Sequence, residues 1–186
     1  MTYRQEKQRF TNFPPTTIED AKHNVNLLIE LEKIRMEDVI DKHIRSGKPV
    51  IMDRCFLSTI VFEYAISRQF LDRINVLDYT IVLFKEQTQA KKLFIPSVLV
   101  YLEPFDYQVF VERIEKRGKV GINFLNEFET VKIMQHWYRH ILSANYPDNS
   151  SLIIQSTQGG QKETAKSVNE FLNTVNYTNN TNKIFL

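Results

Sequence analysis

An acid and a guanidinium stand side by side at Asp53 and Arg54, directly after three apolar residues, in the stretch KPVIMDRCFLSTIVFEYA. If Val50, Ile51 and Met52 form a short buried strand, the pair sits at its C-terminal end. That is where open α/β sheets bind ligands. A carboxylate there can hold a metal or its water, or take a proton from a hydroxyl. A neighbouring arginine can fork onto a phosphate. The plainer reading of the same two residues is a salt bridge tying the strand to the next helix.

Other residues could share such chemistry. Arg113 and Arg117 are four apart and would share a helix face, with Lys116 and Lys119 close by. The run ends in RGKVG, whose two glycines permit a loop that closes over polyphosphate. On charge alone, a solvated basic face balanced by Glu112 and Glu115 is the better reading. Glu32 and Arg35, with Glu30 beside them, either line a cleft or make an ordinary surface ion pair. Phe62 and Tyr64 could stack on a base, though aromatic residues on helices more often pack in cores. His136 and His140 have a zinc-compatible spacing. No glutamate follows His136 and no third ligand is evident, and His23 and His43 stand apart, so a zinc site is not expected. Cys55 has no adjacent histidine, so a cysteine nucleophile is not expected either.

The elements that must position these residues follow from pattern. Pro14 and Pro15 precede a helix whose capping boxes are Thr16 with Glu19 and Thr17 with Asp20. It runs from about 18 to 46, with room for a break, on the apolar positions Leu27, Leu28, Leu31, Ile34, Val39 and Ile40. Gly47 and Pro49 end it. A helix from Ser58 or Thr59 to about Gln69 follows the strand VIM. The stretch RINVLDYTIVLFKEQTQAKKLFI reads equally as strand or helix. SVLVYLE is five apolar residues in a row and predicts a strand buried on both faces. A helix capped by Asp106 and ended by Gly118, another over NEFETVKIMQHWYRHILSA, a third buried strand SLIIQST and a closing helix over KETAKSVNEFLNTV complete the chain. Strands alternating with helices predict a three-layer α/β/α domain with a parallel sheet, over 1–175, followed by a polar tail, 176–186.

Composition narrows the class. The 186 residues suit one domain with a full core, and 42% are apolar and 25% charged. A net charge of +2 calls for neither a nucleic-acid nor a membrane partner. No 18-residue apolar run and no signal-peptide core are present, and the single cysteine favours a reducing compartment. A cytosolic enzyme or binding protein is the expectation.

In order, the E-x-x-R helix (Glu32, Arg35), VIMDR with a helix start at Ser58, VLVYLEP, ERIEKRGK, an aromatic helix with Tyr138, and LIIQS resemble the P-loop nucleoside and nucleotide kinases. The likeness is to the thymidylate kinase and deoxynucleoside kinase branch and covers roughly residues 11–172. It implies that Asp53 assists Mg²⁺ or the acceptor and that Arg54 contacts the acceptor or transferred phosphate. It implies that Arg113 and Arg117 clamp the phosphates of ATP as charge spreads in the transition state. Phe62 and Tyr64 would flank the acceptor base, and Glu32 and Arg35 would line the acceptor cleft. The partner implied is a small nucleoside or nucleotide. Many relatives pair through helices, so a homodimer is open.

One departure dominates. The family opens with a strand and the loop G-x-x-x-x-G-K-[ST], whose backbone N–H groups, lysine and hydroxyl hold phosphate and Mg²⁺. Glycines occur here only at 47, 118, 121, 159 and 160, and none starts that pattern. The fold is therefore expected to lack its first, central strand, leaving strand edges unpaired. The expected function is ATP-dependent phosphoryl transfer to a nucleoside or nucleotide in a complete form, with little activity as given. Two alternatives stay open: a non-catalytic remnant that binds a nucleotide or a partner chain, and a kinase of another small acceptor.

Overall fold

In a computed structural model, the structure describes residues 9–10, 15–46, 50–69, 74–104, 106–116, 127–146, 150–156 and 160–175. The chain divides into two compact units, Met1–Phe94 and Ile95–Leu186.

The first unit is helical. Helix α1 (Ile18–Arg35) starts where Thr17, in extended backbone, accepts a hydrogen bond from the Asp20 N–H at 3.0 Å, one of the two predicted caps. It does not stop cleanly. A π-helical turn (Met36–Ile40) leads into α2 (Asp41–Arg45), which is the anticipated break. The buried positions of α1 are Ala21, Asn24, Val25, Leu27 and Ile29. The buried stripe thus begins nearly two turns earlier than predicted, and Leu28, Leu31 and Ile34 are only half-buried.

Residues 50–52 are not a strand. Val50 and Met52 are half-buried, and Ile51 is 88% exposed. The reason is pairing. A three-residue strand has no stability without a neighbour to satisfy its N–H and C=O groups, and none is supplied among the described residues. The next helix, α3 (Phe56–Gln69), begins two residues before the predicted Ser58, with the Ser58 N–H bonded to the Cys55 carbonyl at 2.9 Å. The ambiguous segment resolves as helix α4 (Leu77–Gln89). Asn75 accepts from the Leu77 N–H at its start, and Thr80 and Phe84 supply the buried stripe. Lys91, at φ 55°, ends it in left-handed backbone, and the Lys92 N–H returns to the Gln87 carbonyl. Helices α1, α3 and α4 pack on one another. Phe56 stacks on Phe84 with ring centroids 5.0 Å apart, and the Tyr79 hydroxyl bonds Asn26 at 2.8 Å.

The second unit is mixed. Strand β1 (Leu99–Pro104), helix α5 (Tyr107–Lys116), helix α6 (Phe128–Asn145), strand β2 (Ser151–Ser156) and helix α7 (Gly160–Thr174) follow in order. The strands pair in parallel, from Leu99 opposite Ser151 to Pro104 opposite Ser156. Parallel neighbours need a crossover, and α5 and α6 lie within it. Asp106 caps α5 as predicted, accepting from the Gln108 N–H at 2.7 Å. Tyr138 of α6 stacks on Tyr101 of β1, centroids 4.5 Å apart.

The architecture is mixed α/β with a parallel sheet, two-stranded among the described residues. It lacks the first of the three predicted strands, residues 50–52. Burial on both faces is also not found, since Leu102 is 50% and Ile153 39% exposed. A two-stranded sheet has two open edges and little area for helices to cover, so an apolar run does not guarantee burial. No described helix is long and apolar enough to cross a membrane.

Candidate functional site

The most connected group of predicted residues lies in the first unit, where the last turn of α1 meets residues 53–54. Glu32 and Arg35 are three apart on one helix face, and the guanidinium Nη2 reaches both carboxylate oxygens, at 2.5 and 2.7 Å. The same nitrogen donates to the Arg54 carbonyl at 3.1 Å, and Nη1 makes a long 3.5 Å contact to the Asp53 carbonyl. Arg35 thus bridges a helix and an irregular segment. Its Nε is buried with no acceptor among the described residues. Burial raises the Glu32 carboxyl above its ordinary pKa, and the Arg35 charge and hydrogen bonds oppose that rise.

Arg54 has φ 62°. Left-handed backbone in a residue with a Cβ costs about 1–2 kcal/mol, and persists only where the surroundings hold it. Two contacts do so here: Arg35 on the carbonyl, and the Arg54 guanidinium over the Phe62 ring, 5.6 Å from its centroid. The result is an exposed guanidinium on a fixed backbone, next to the exposed Asp53 carboxylate.

The structure therefore brings together Glu32, Arg35, Asp53, Arg54 and Phe62. Tyr64 is half-buried on α3 but two residues from Phe62, so the two rings point to different sides of the helix. Arg113 is exposed on α5 in the second unit. Arg117 and the RGKVG loop lie outside the described residues. Arg35 spends its terminal nitrogens on Glu32 and on the carbonyls of Asp53 and Arg54, so the pair acts on Arg54 rather than reaching outward.

Two buried acids escaped the sequence reading. Glu63 is 5% exposed, its Oε2 has no partner among the described residues, and burial pushes its pKa up to about 7. The signal was a lone charge within the apolar run TIVFEYAI. Glu103 of β1 is 4% exposed and receives both ends of the Arg139 guanidinium, Nε at 2.7 Å. Thirty-six residues separate that pair, so no spacing rule finds it. Cys55 is raised to about 11 by burial, which leaves no thiolate for nucleophilic chemistry at neutral pH.

As a holder of Mg²⁺, this site offers one exposed carboxylate, Asp53. That is compatible with a cation that keeps most of its ligands as water and nucleotide phosphate oxygens. No group of three or more metal-ligating side chains occurs among the described residues, and His140 stacks on Trp137 instead. Comparison with known proteins finds no matching family model, curated protein or solved structure.

Proposed function

We propose that this chain is nucleoside- or nucleotide-kinase-like and that residues 32–62 carry its acceptor-phosphate site. The single observation that supports this is Arg54. An exposed guanidinium on a left-handed backbone, steadied by a ring beneath and a bonded carbonyl behind, is preorganised for an anion. Phosphate is the anion that matches its fork. Asp53 is the group that would orient an acceptor hydroxyl or hold the hydrated Mg²⁺ delivered with ATP. That ion, when bound, supplies charge neutralisation between phosphates. Arg113 and Arg117 are assigned to the donor. With no G-x-x-x-x-G-K-[ST] in the 186 residues, turnover by this chain is expected to be small. ATP chemistry and a single cysteine suit a cytosolic setting.

Titration calorimetry of the purified chain with thymidine monophosphate and with thymidine tests the reading. The monophosphate should bind more tightly, and Arg54→Ala should remove that advantage, by tenfold or more. Equal affinity for both ligands, or an Arg54→Ala chain that binds the monophosphate unchanged, would refute it.

A second reading, a non-catalytic protein that binds a partner chain, is favoured by Ile51, an 88% exposed apolar residue beside the site. It predicts that Ile51→Asp abolishes partner capture while nucleotide affinity stays as it was.

A further inference from the structure

The second unit holds a cavity of about 140 Å³ that plays no part in the proposal above. Its lining is Pro104, at the carboxyl end of β1, Tyr107 of α5, and Phe128, Val131, Lys132 and Gln135 of α6. The carboxyl end of a parallel strand is a common place for ligands, but place alone assigns nothing. The walls say more.

Tyr107 and Phe128 meet edge to face, centroids 5.0 Å apart, and form an aromatic corner. Phe128 remains 42% exposed, although an aromatic ring at a helix start ordinarily packs away. Val131, only 6% exposed, makes the floor. Lys132 Nζ stands 4.0 Å from the Phe128 centroid and pairs with no carboxylate among the described residues. The Gln135 amide donates to the Pro104 carbonyl at 2.9 Å, which ties the side chain to the end of β1. Among the described residues the site is therefore two rings, one buried apolar side chain, and one cation with no carboxylate partner.

Size selects the occupant. An apolar cavity of about 150 Å³ takes one benzene ring. A cavity of this volume has room for a single six-membered ring. Aromatic walls favour a planar ring, set edge-on or offset against them. The ammonium favours a negative substituent on that ring. We infer that the second unit binds a small single-ring aromatic carboxylate, with the ring against Tyr107 and Phe128 and the carboxylate on Lys132.

The test uses the full chain and ligand-observed NMR with three probes: benzoate, benzamide and 2-naphthoate. Benzoate should bind with a Kd on the order of 1 mM, as suits a ligand of so few atoms. Benzamide, neutral and of the same shape, should bind at least fivefold more weakly, and 2-naphthoate should not compete. Lys132 is exposed, so Lys132→Met keeps the fold and should bring benzoate down to the benzamide level. Phe128→Ala should weaken both. Benzoate and benzamide binding alike, naphthoate binding best, or Lys132→Met changing nothing would each overturn the assignment. Arg54→Ala should leave benzoate affinity unchanged, so this site and the phosphate site can fail separately.

Discussion

The molecule contains two carboxylate–arginine pairs built in opposite ways. Glu32 and Arg35 share one helix, three residues apart, and both are largely buried, at 15% and 33% side-chain exposure. Glu103 and Arg139 join a strand to a helix across 36 residues, with the acid 5% and the arginine 52% exposed. In the first, the arginine has spare donors and spends them on the carbonyls of Asp53 and Arg54. In the second, the guanidinium is turned wholly onto a carboxylate that has almost no water. The difference is one of job. A local pair is available to position a neighbour, whereas a distant pair fastens α6 to β1.

The largest effect should come from breaking the distant pair. Arg139→Ala leaves Glu103 buried without its counter-charge, and removing one partner of such a pair costs about 3 kcal/mol. Urea denaturation followed by tryptophan fluorescence should show it, since Trp137 lies on α6. Replacing both, Glu103→Leu with Arg139→Leu, should recover most of the loss, because the fault is an unpaired charge and not a missing attraction. A double variant no better than Arg139→Ala would mean that the pair itself carries net stability.

A third acid, Glu63, has no arginine partner among the described residues and shows what such pairs prevent. Its folded pKa of about 7 lies above the ordinary 4.5. The folded chain therefore keeps a proton that the unfolded chain loses. The sign follows: stability is unaffected below about pH 4.5, falls as pH rises to about 7, and stays at its lower value above. The full penalty is about 3 kcal/mol as an upper figure. Glu63→Gln should flatten that slope between about pH 4.5 and 7. A wild-type stability that rises over this range would show that Glu63 finds a cation the described residues do not contain.

The sequence showed some of this and hid the rest, for a physical reason. Thr17 and Asp106 were legible because a cap bonds an N–H two or three residues away. The Glu32–Arg35 spacing was legible for the same cause. The helices were legible by period, apart from Leu77–Gln89, whose β-branched residues fit either element until tertiary packing decided. What failed was non-local. Residues 50–52 have strand composition, yet a strand is a property of two segments and not of one. Glu103 looked like the polar end of a buried strand, and nothing within thirty residues names Arg139.

Returning to the local pair, Arg35→Met should cost less than Arg139→Ala, about 1–2 kcal/mol, because Glu32 keeps some access to water. Its signature should be different in kind. Without the arginine, burial alone governs Glu32, so its pKa moves further up and a second falling limb joins that of Glu63 as pH rises. The left-handed Arg54 also loses the donor on its carbonyl, so affinity for a nucleoside monophosphate should drop along with stability. Arg35→Met that leaves phosphate affinity intact would separate the pair from the site.

The smallest effect compares the two units most directly, because it uses the same device in each. Thr17→Ala and Asp106→Ala each remove one side-chain acceptor from a helix start, worth about 1 kcal/mol in a helix that unfolds with its surroundings. Helix α1 has five buried residues, so loss of its cap should appear whole in the denaturation midpoint. Helix α5 has no fully buried side chain among its described residues, so it can fray without the rest. Asp106→Ala should therefore speed amide exchange at Gln108 and its neighbours while barely moving the midpoint. Equal midpoint shifts for the two caps would mean that α5 is bound into its unit as firmly as α1. Glu103–Arg139 would then be one fastening among several and not the principal one.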